Sequence, residues 1–209
     1  MANITIAMAK GRLAKQAVKL FNNSGINLPD DMLSSRKLIF ELPQENLEII
    51  LVKPADVPIY VEYGTADLGI VGKDTLLEEN RDLYEMLDLK FGKCRFALAG
   101  LPEGKETLLQ RKVATKYPDF TRRFFKIKGE PVEIIKLNGS IELAPLTGLA
   151  DTILDIVQTG RTLKENGLVV YENIQDLSAR LVVNKVSMKT YQKQISKIID
   201  ALEAELEEE

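Results

Sequence analysis

At 209 residues, 45% of them hydrophobic, the chain is long enough to bury its own core, as one large domain or as two of about 100 residues each. Its 28 basic and 31 acidic residues leave a net charge of -3, which excludes whole-chain attraction to nucleic acid or to an anionic membrane surface, so any anion site must be local. The absence of histidine excludes Ser-His, Cys-His and His-metal chemistry, and the single cysteine, Cys94, excludes an intramolecular disulfide and a multi-cysteine metal site; carboxylates, Lys, Arg and backbone amides are the actors left.

The first ten residues, Met1 to Lys10, place their cation after a short apolar run and lack a basic leader region, so they do not read as a signal peptide. No apolar run reaches the length of a membrane span, and a cytoplasmic location is expected. Ile4 to Met8 reads as a strand. Leu13, Ala17, Val18, Leu20 and Phe21 then form a helical stripe that stops at Asn23-Ser24-Gly25. Leu47 to Val52 is the next strand, and Val57, Ile59, Tyr60 and Val61 mark a helix with Pro58 in its first turn and Gly64 at its close. Further strands are expected at Asp67 to Val71, Arg95 to Ala99 (with Cys94 as strand filler), Val132 to Leu137, Leu168 to Tyr171 and Arg180 to Val183.

Between these, Arg122 to Lys128 predicts an amphipathic helix with Phe124, Phe125 and Ile127 among its solvated cations, and Gly148 to Leu154 reads as helical. Tyr191, Ile195, Ile198, Ile199, Leu202 and Leu206 recur at helical spacing, so the last helix docks on a core and runs out as an acidic end, Glu203 to Glu209. The alternation implies an α/β chain with largely parallel strands buried on both faces.

Three constellations carry possible chemistry. In Asp155-Ile156-Val157-Gln158-Thr159-Gly160-Arg161-Thr162, Gly160 permits a tight turn whose backbone N–H groups converge on an anion, and Thr159 and Thr162 add hydroxyl donors. A short helix from Leu163 would aim its free amides at the same anion, with Asp155 one helical turn before the loop to accept from sugar hydroxyls. The same spacing also occurs in ordinary joints between helices. Lys10-Gly11-Arg12 follows the first strand and precedes the first helix, where open α/β sheets bind ligands; two cations there oppose the helix dipole and call for a partner. Gly64, Gly69 and Gly72 surround a strand, with Asp74 as a cap for the next helix. Arg36 and Lys53 read individually as surface cations.

Together these segments resemble the ATP phosphoribosyltransferase family in its short form, throughout the chain. The signature runs Glu142, Gly148, Ala150, Ile153, Asp155, Ile156, Thr159-Gly160 and Thr162-Leu163. The Lys10-Gly11-Arg12 and Gly64 to Asp74 elements match as well. The resemblance implies a two-lobed fold like the type II periplasmic binding proteins, with a central cleft. Lobe I would hold residues 1–92 plus 179–209, and lobe II residues 93–178. It implies a glycosyltransferase that joins N1 of the adenine of ATP to 5-phosphoribosyl 1-pyrophosphate, with Mg²⁺ bound to substrate and no protein metal site. By the same resemblance Lys10, Arg12 and Arg36 hold pyrophosphate and ATP phosphates, Asp155 the ribose hydroxyls, and Thr159, Gly160, Arg161 and Thr162 the 5-phosphate. Glu142 and Gly148 line the cleft, and Lys53, Asp67 and Leu68 contact the nucleotide. With the chain ending near residue 209, the resemblance further implies a homodimer within a hetero-octamer. Its partner would be a regulatory subunit resembling histidyl-tRNA synthetase.

Two other readings stay open on the residues. A purine-salvage phosphoribosyltransferase has a similar turn, but after two adjacent acidic residues and after a strand; here Asp155 is followed by Ile156, and the preceding segment reads as helix. A cytosolic anion-binding module without chemistry is the third.

Overall fold

The computed structural model describes residues 3–104 and 111–208. They divide into two compact α/β units, residues 1–92 with 178–209 and residues 93–177. No helix among the described residues is long and apolar enough to cross a membrane.

Unit 1 begins β1 (Ile4–Ala9), α1 (Arg12–Asn23), β2 (Ile39–Leu42), β3 (Leu47–Val52), α2 (Val57–Glu62), β4 (Leu68–Gly72), α3 (Lys73–Glu79) and β5 (Tyr84–Asp88). Unit 2 contributes β6 (Cys94–Gly100), β7 (Arg111–Thr115), α4 (Pro118–Lys128), β8 (Val132–Lys136), α5 (Leu143–Leu146), β9 (Thr152–Val157), α6 (Arg161–Glu165) and β10 (Val169–Leu177). The chain then returns to unit 1 as β11 (Ala179–Val183), α7 (Lys185–Thr190) and α8 (Gln192–Glu208).

The sheet of unit 1 has the order β2-β3-β1-β4-β11-β5. β1 sits at its centre because both of its faces are apolar. Ile4, Ile6 and Met8 join the α1 and α8 stripes, including Phe21, Ile195 and Leu202, in the larger core, whereas Ala7 and Ala9 join Val57 and Val61 of α2 on the opposite face. Small residues there let α2 lie close to the sheet. Gly69 of β4 belongs to the same device, since a Cβ at that position would come within 2.7 Å of Val61 and 3.0 Å of Val57. The glycine serves helix packing. Gly72 occupies the N-cap position of α3, so Asp74 lies in its first turn, where its charge complements the helix dipole.

Unit 2 has the order β10-β6-β9-β7-β8. α4 covers it through Phe120 and Phe125, with Phe120 stacked on Phe96 at 4.1 Å between ring centres. Ile127 is 87% exposed. It lies two residues past buried Phe125, and neighbours two apart on a helix point to different sides, so it cannot share the apolar stripe.

Two expectations are corrected. Strand pairing is mixed: β3, β1 and β4 run parallel, as do β8, β7 and β9, while β2, β5, β6, β10 and β11 all pair antiparallel to their neighbours. The returning chain is the reason, because β11 enters from unit 2 and must run back between β4 and β5. The segment read as a helix before the phosphate turn is the strand β9. It is flanked by β6 and β7, with Thr152, Ile153 and Leu154 all buried. An apolar run buried on both faces looks alike in helix and strand.

Candidate active site

The turn expected to hold phosphate is built at the carboxyl end of β9. Gln158, Thr159 and Gly160 leave the strand, and Gly160 adopts a left-handed backbone (φ 74°) that starts α6. A Cβ there would meet only Val157 at 3.8 Å, so backbone conformation, not space, calls for glycine. The Thr159 hydroxyl accepts from the Arg161 N–H at 3.3 Å. The Arg161 side chain turns outward to Glu165 at 2.7 Å and is 83% exposed, so the turn offers an anion its amides and the Thr hydroxyls before it offers the guanidinium. α6 is five residues long, too short for its dipole to dominate.

A pocket of about 240 Å³ opens over this turn, lined by Glu142, Asp155, Gln158 to Leu163 and, from the neighbouring strand, Ala97 and Ala99. Ala97 stands directly opposite Asp155 in the β6–β9 pairing, and Ala99 opposite Ile153. Methyl side chains at both positions keep the floor of this pocket low beside the carboxylate. Asp155 is half-buried in the strand, with Oδ1 accepting from the Ile156 N–H at 2.8 Å. It is therefore a strand residue and not one helical turn away. Glu142 precedes α5 and faces the pocket. Gly148, left-handed at φ 75°, closes the turn after α5 and is not among the lining residues.

In unit 1 the Lys10-Gly11-Arg12 junction joins β1 to α1. Gly11 has φ 125°, and a Cβ at that position would meet nothing within 4 Å, so here too the backbone requires glycine. α1 has no side-chain cap and no acidic residue in its first turn, which leaves its start electropositive. The Lys10 ammonium donates to the Ser35 carbonyl at 2.6 Å, and this bond brings the segment carrying Arg36 to the junction. Beside it lies an apolar pocket of about 720 Å³ whose lining includes Lys10, Lys53, Ile39, Ile50, Val52 and Tyr60. Leu38 and Ile39, 60% and 56% exposed, form part of its wall. Tyr60 and these two residues escape a reading of the sequence; the one available signal was an aromatic on a helix that buries Val57, Pro58 and Val61.

Asp67 and Leu68 stand apart from this pocket. Asp67 is 8% exposed, and its carboxylate accepts from the Thr5 N–H at 2.8 Å and the Ser187 hydroxyl at 2.6 Å. Leu68 is fully buried in the larger core. Asp67 thus ties β1 to α7 and Leu68 packs β4 into the core, and neither is among the residues lining this pocket. Among the described residues, no group of three or more His, Cys, Asp or Glu could hold a metal ion.

The family model described as ATP phosphoribosyltransferase matches residues 53–204. An ATP phosphoribosyltransferase from Halalkalibacterium halodurans is 55% identical over 97% of this chain and 96% of its own length. Another from Ruminiclostridium cellulolyticum is 57% identical over 99% and 98%. Among solved structures, the ATP phosphoribosyl transferase (HisG:HisZ) complex from Thermotoga maritima contains a chain that superposes with a TM-score of 0.87. It is 33% identical, covering 99% of this chain and all of that one. With similarity running through both units and across the turn that follows β9, the chain belongs to the ATP phosphoribosyltransferase family.

Proposed function

We infer that this chain is the catalytic subunit of a short-form ATP phosphoribosyltransferase. It condenses ATP with 5-phosphoribosyl 1-pyrophosphate to give N1-(5-phosphoribosyl)-ATP and pyrophosphate, the first step of histidine biosynthesis. The observation that carries this reading is the pocket over the β9 turn, where a carboxylate, a low alanine floor and a left-handed glycine turn occur together.

Asp155 accepts hydrogen bonds from the ribose hydroxyls while the amides of Thr159 to Thr162 hold the 5-phosphate. Fixing both ends of the sugar aims its C1 at the acceptor and removes orientational freedom before reaction. As N1 of adenine displaces pyrophosphate, positive charge builds on the sugar and negative charge on the leaving group. Lys10, Arg12 and Arg36 stabilise the latter. The apolar pocket beside Lys53 takes the adenine nucleotide, with Ile39, Ile50 and Tyr60 against the base and the lysines toward its phosphates. Enzymes of this family use a divalent metal with their substrates. Magnesium suits the oxygen-rich pyrophosphate, would be held there by substrate oxygens, and would add charge neutralisation.

The enzyme works in the cytoplasm, as a homodimer joined to a regulatory subunit of the kind present in the Thermotoga maritima complex. Relatives matched over 96–98% of their own length support the short form. The strand before the phosphate turn removes one argument against a purine-salvage enzyme, since such enzymes also place their turn after a strand; the lone Asp155 still differs from their acidic pair. Incubation with 5-phosphoribosyl 1-pyrophosphate and either ATP or adenine separates the two by product mass.

A further inference from the structure

Gly92 is the last residue of unit 1 before the chain passes into unit 2. Its backbone is left-handed (φ 67°), and a Cβ built on it would come within 2.4 Å of Cδ2 of Leu13. The space a side chain would occupy is thus filled by Leu13, the second residue of α1 and the direct neighbour of Arg12. The backbone beneath Leu13 is pinned. Leu89 N–H donates to the Ala179 carbonyl and Ala179 N–H to the Phe91 carbonyl, each at 2.9 Å. Asp88 reinforces the pin by accepting from the Ser178 hydroxyl at 2.7 Å and pairing with Arg180 at 3.1 Å. The start of α1, by contrast, has no cap of its own, because Gly11 offers no side chain. An uncapped helix start takes its placement from packing, and at its first turn Ala14 is buried in the larger core while Leu13 packs against that core and over Gly92.

We propose that the Leu13–Gly92 contact sets the placement of the first turn of α1, making Leu13 and Gly92 positioning residues for the Arg12 guanidinium on pyrophosphate. The proposal rests on the pyrophosphate role assigned to Arg12. Displacement of such a group by as little as about 1 Å is enough to cost a large part of its effect.

The test is pyrophosphate binding, measured by calorimetry on the enzyme assembled with its regulatory subunit, with ribose 5-phosphate as a second ligand that engages only the unit 2 turn. Gly92→Ala pushes Leu13 aside, and Leu13→Ala removes the contact without touching the backbone. Each is expected to weaken pyrophosphate binding about tenfold and to leave ribose 5-phosphate within about twofold. In the double variant the new methyl at position 92 fills space vacated by Leu13, so binding recovers to within about threefold of the parent, a non-additive cycle. Gly129→Ala supplies the control for backbone strain, because Gly129 has φ 70° and nothing within 4 Å of a Cβ; it is expected to bind pyrophosphate as the parent does. A loss of fold would lower the active fraction without changing the affinity for one ligand alone. If Gly92→Ala does not fold, Leu13→Ala carries the test by itself. Parent-like pyrophosphate affinity in Leu13→Ala, with Arg12→Ala weakened, overturns the positioning contact and spares the clamp. Parent-like affinity in Arg12→Ala overturns both.

Discussion

In the proposed site, Asp155 is the carboxylate assigned to the ribose hydroxyls, with Glu142 lining the same pocket. Replacing Asp155 by Asn keeps the shape but removes the charge that would strengthen the hydrogen bonds proposed to ribose. kcat/KM for 5-phosphoribosyl 1-pyrophosphate should fall about 10- to 100-fold, with thermal stability within about 0.5 kcal/mol of the parent. Gly160→Ala acts differently. Its Cβ has room, but the left-handed backbone costs about 1–2 kcal/mol, so the loop should relax away from φ 74° and lose 5-phosphate affinity. On the unit 1 side, Arg12→Ala and Arg36→Ala should each lower kcat by about 10²- to 10³-fold if they stabilise the departing pyrophosphate. Asp88 governs a separate property. Burial pushes its carboxyl up, but hydrogen bonds from the Ser178 hydroxyl and the Lys90 N–H, together with Arg180, outweigh burial and hold it below the ordinary value of 3.8. A depressed carboxylate contributes stability above its unfolded value and loses it as pH falls through the folded one. Acid unfolding of Asp88→Asn should therefore show a smaller loss of stability below about pH 4 than the parent shows.

At the scale of elements, legibility followed burial. β1, β3 and β4 stood out in the sequence because apolar residues fill most of their positions, and α1 and α8 because each buries a single stripe. β2 and β5 did not, since edge strands with exposed Glu41 and Glu85 lack a continuous apolar run. β9 was legible as apolar but not as a strand, and the error propagated to the placement of Asp155. The site was legible where a backbone demand forces glycine, as at Gly11 and Gly160. It was illegible where side chains meet only through pairing, as with Ala97 and Ala99 opposite Asp155 and Ile153. Tyr60 depends on α2 lying tight on the sheet. Gly69→Ala would drive a methyl into Val57, Val61 and Val182, costing about 1–3 kcal/mol, and by lifting α2 should weaken ATP binding more than binding of 5-phosphoribosyl 1-pyrophosphate.

For the whole molecule, division of labour between the units is the organising idea. Unit 2 offers a turn and carboxylate suited to a sugar phosphate, and unit 1 offers cations beside an apolar pocket suited to a nucleotide. On the proposed assignment of regulation to the partner subunit, histidine should inhibit the assembled enzyme and leave the isolated chain unaffected. Titrating histidine into both preparations checks this. The most direct test of the central claim is pyrophosphate release on mixing the chain, supplied with its regulatory subunit and Mg²⁺, with ATP and 5-phosphoribosyl 1-pyrophosphate. Release should require both substrates and yield a product with the mass of phosphoribosyl-ATP. Release with adenine but not ATP, or none with either acceptor, would contradict the assignment.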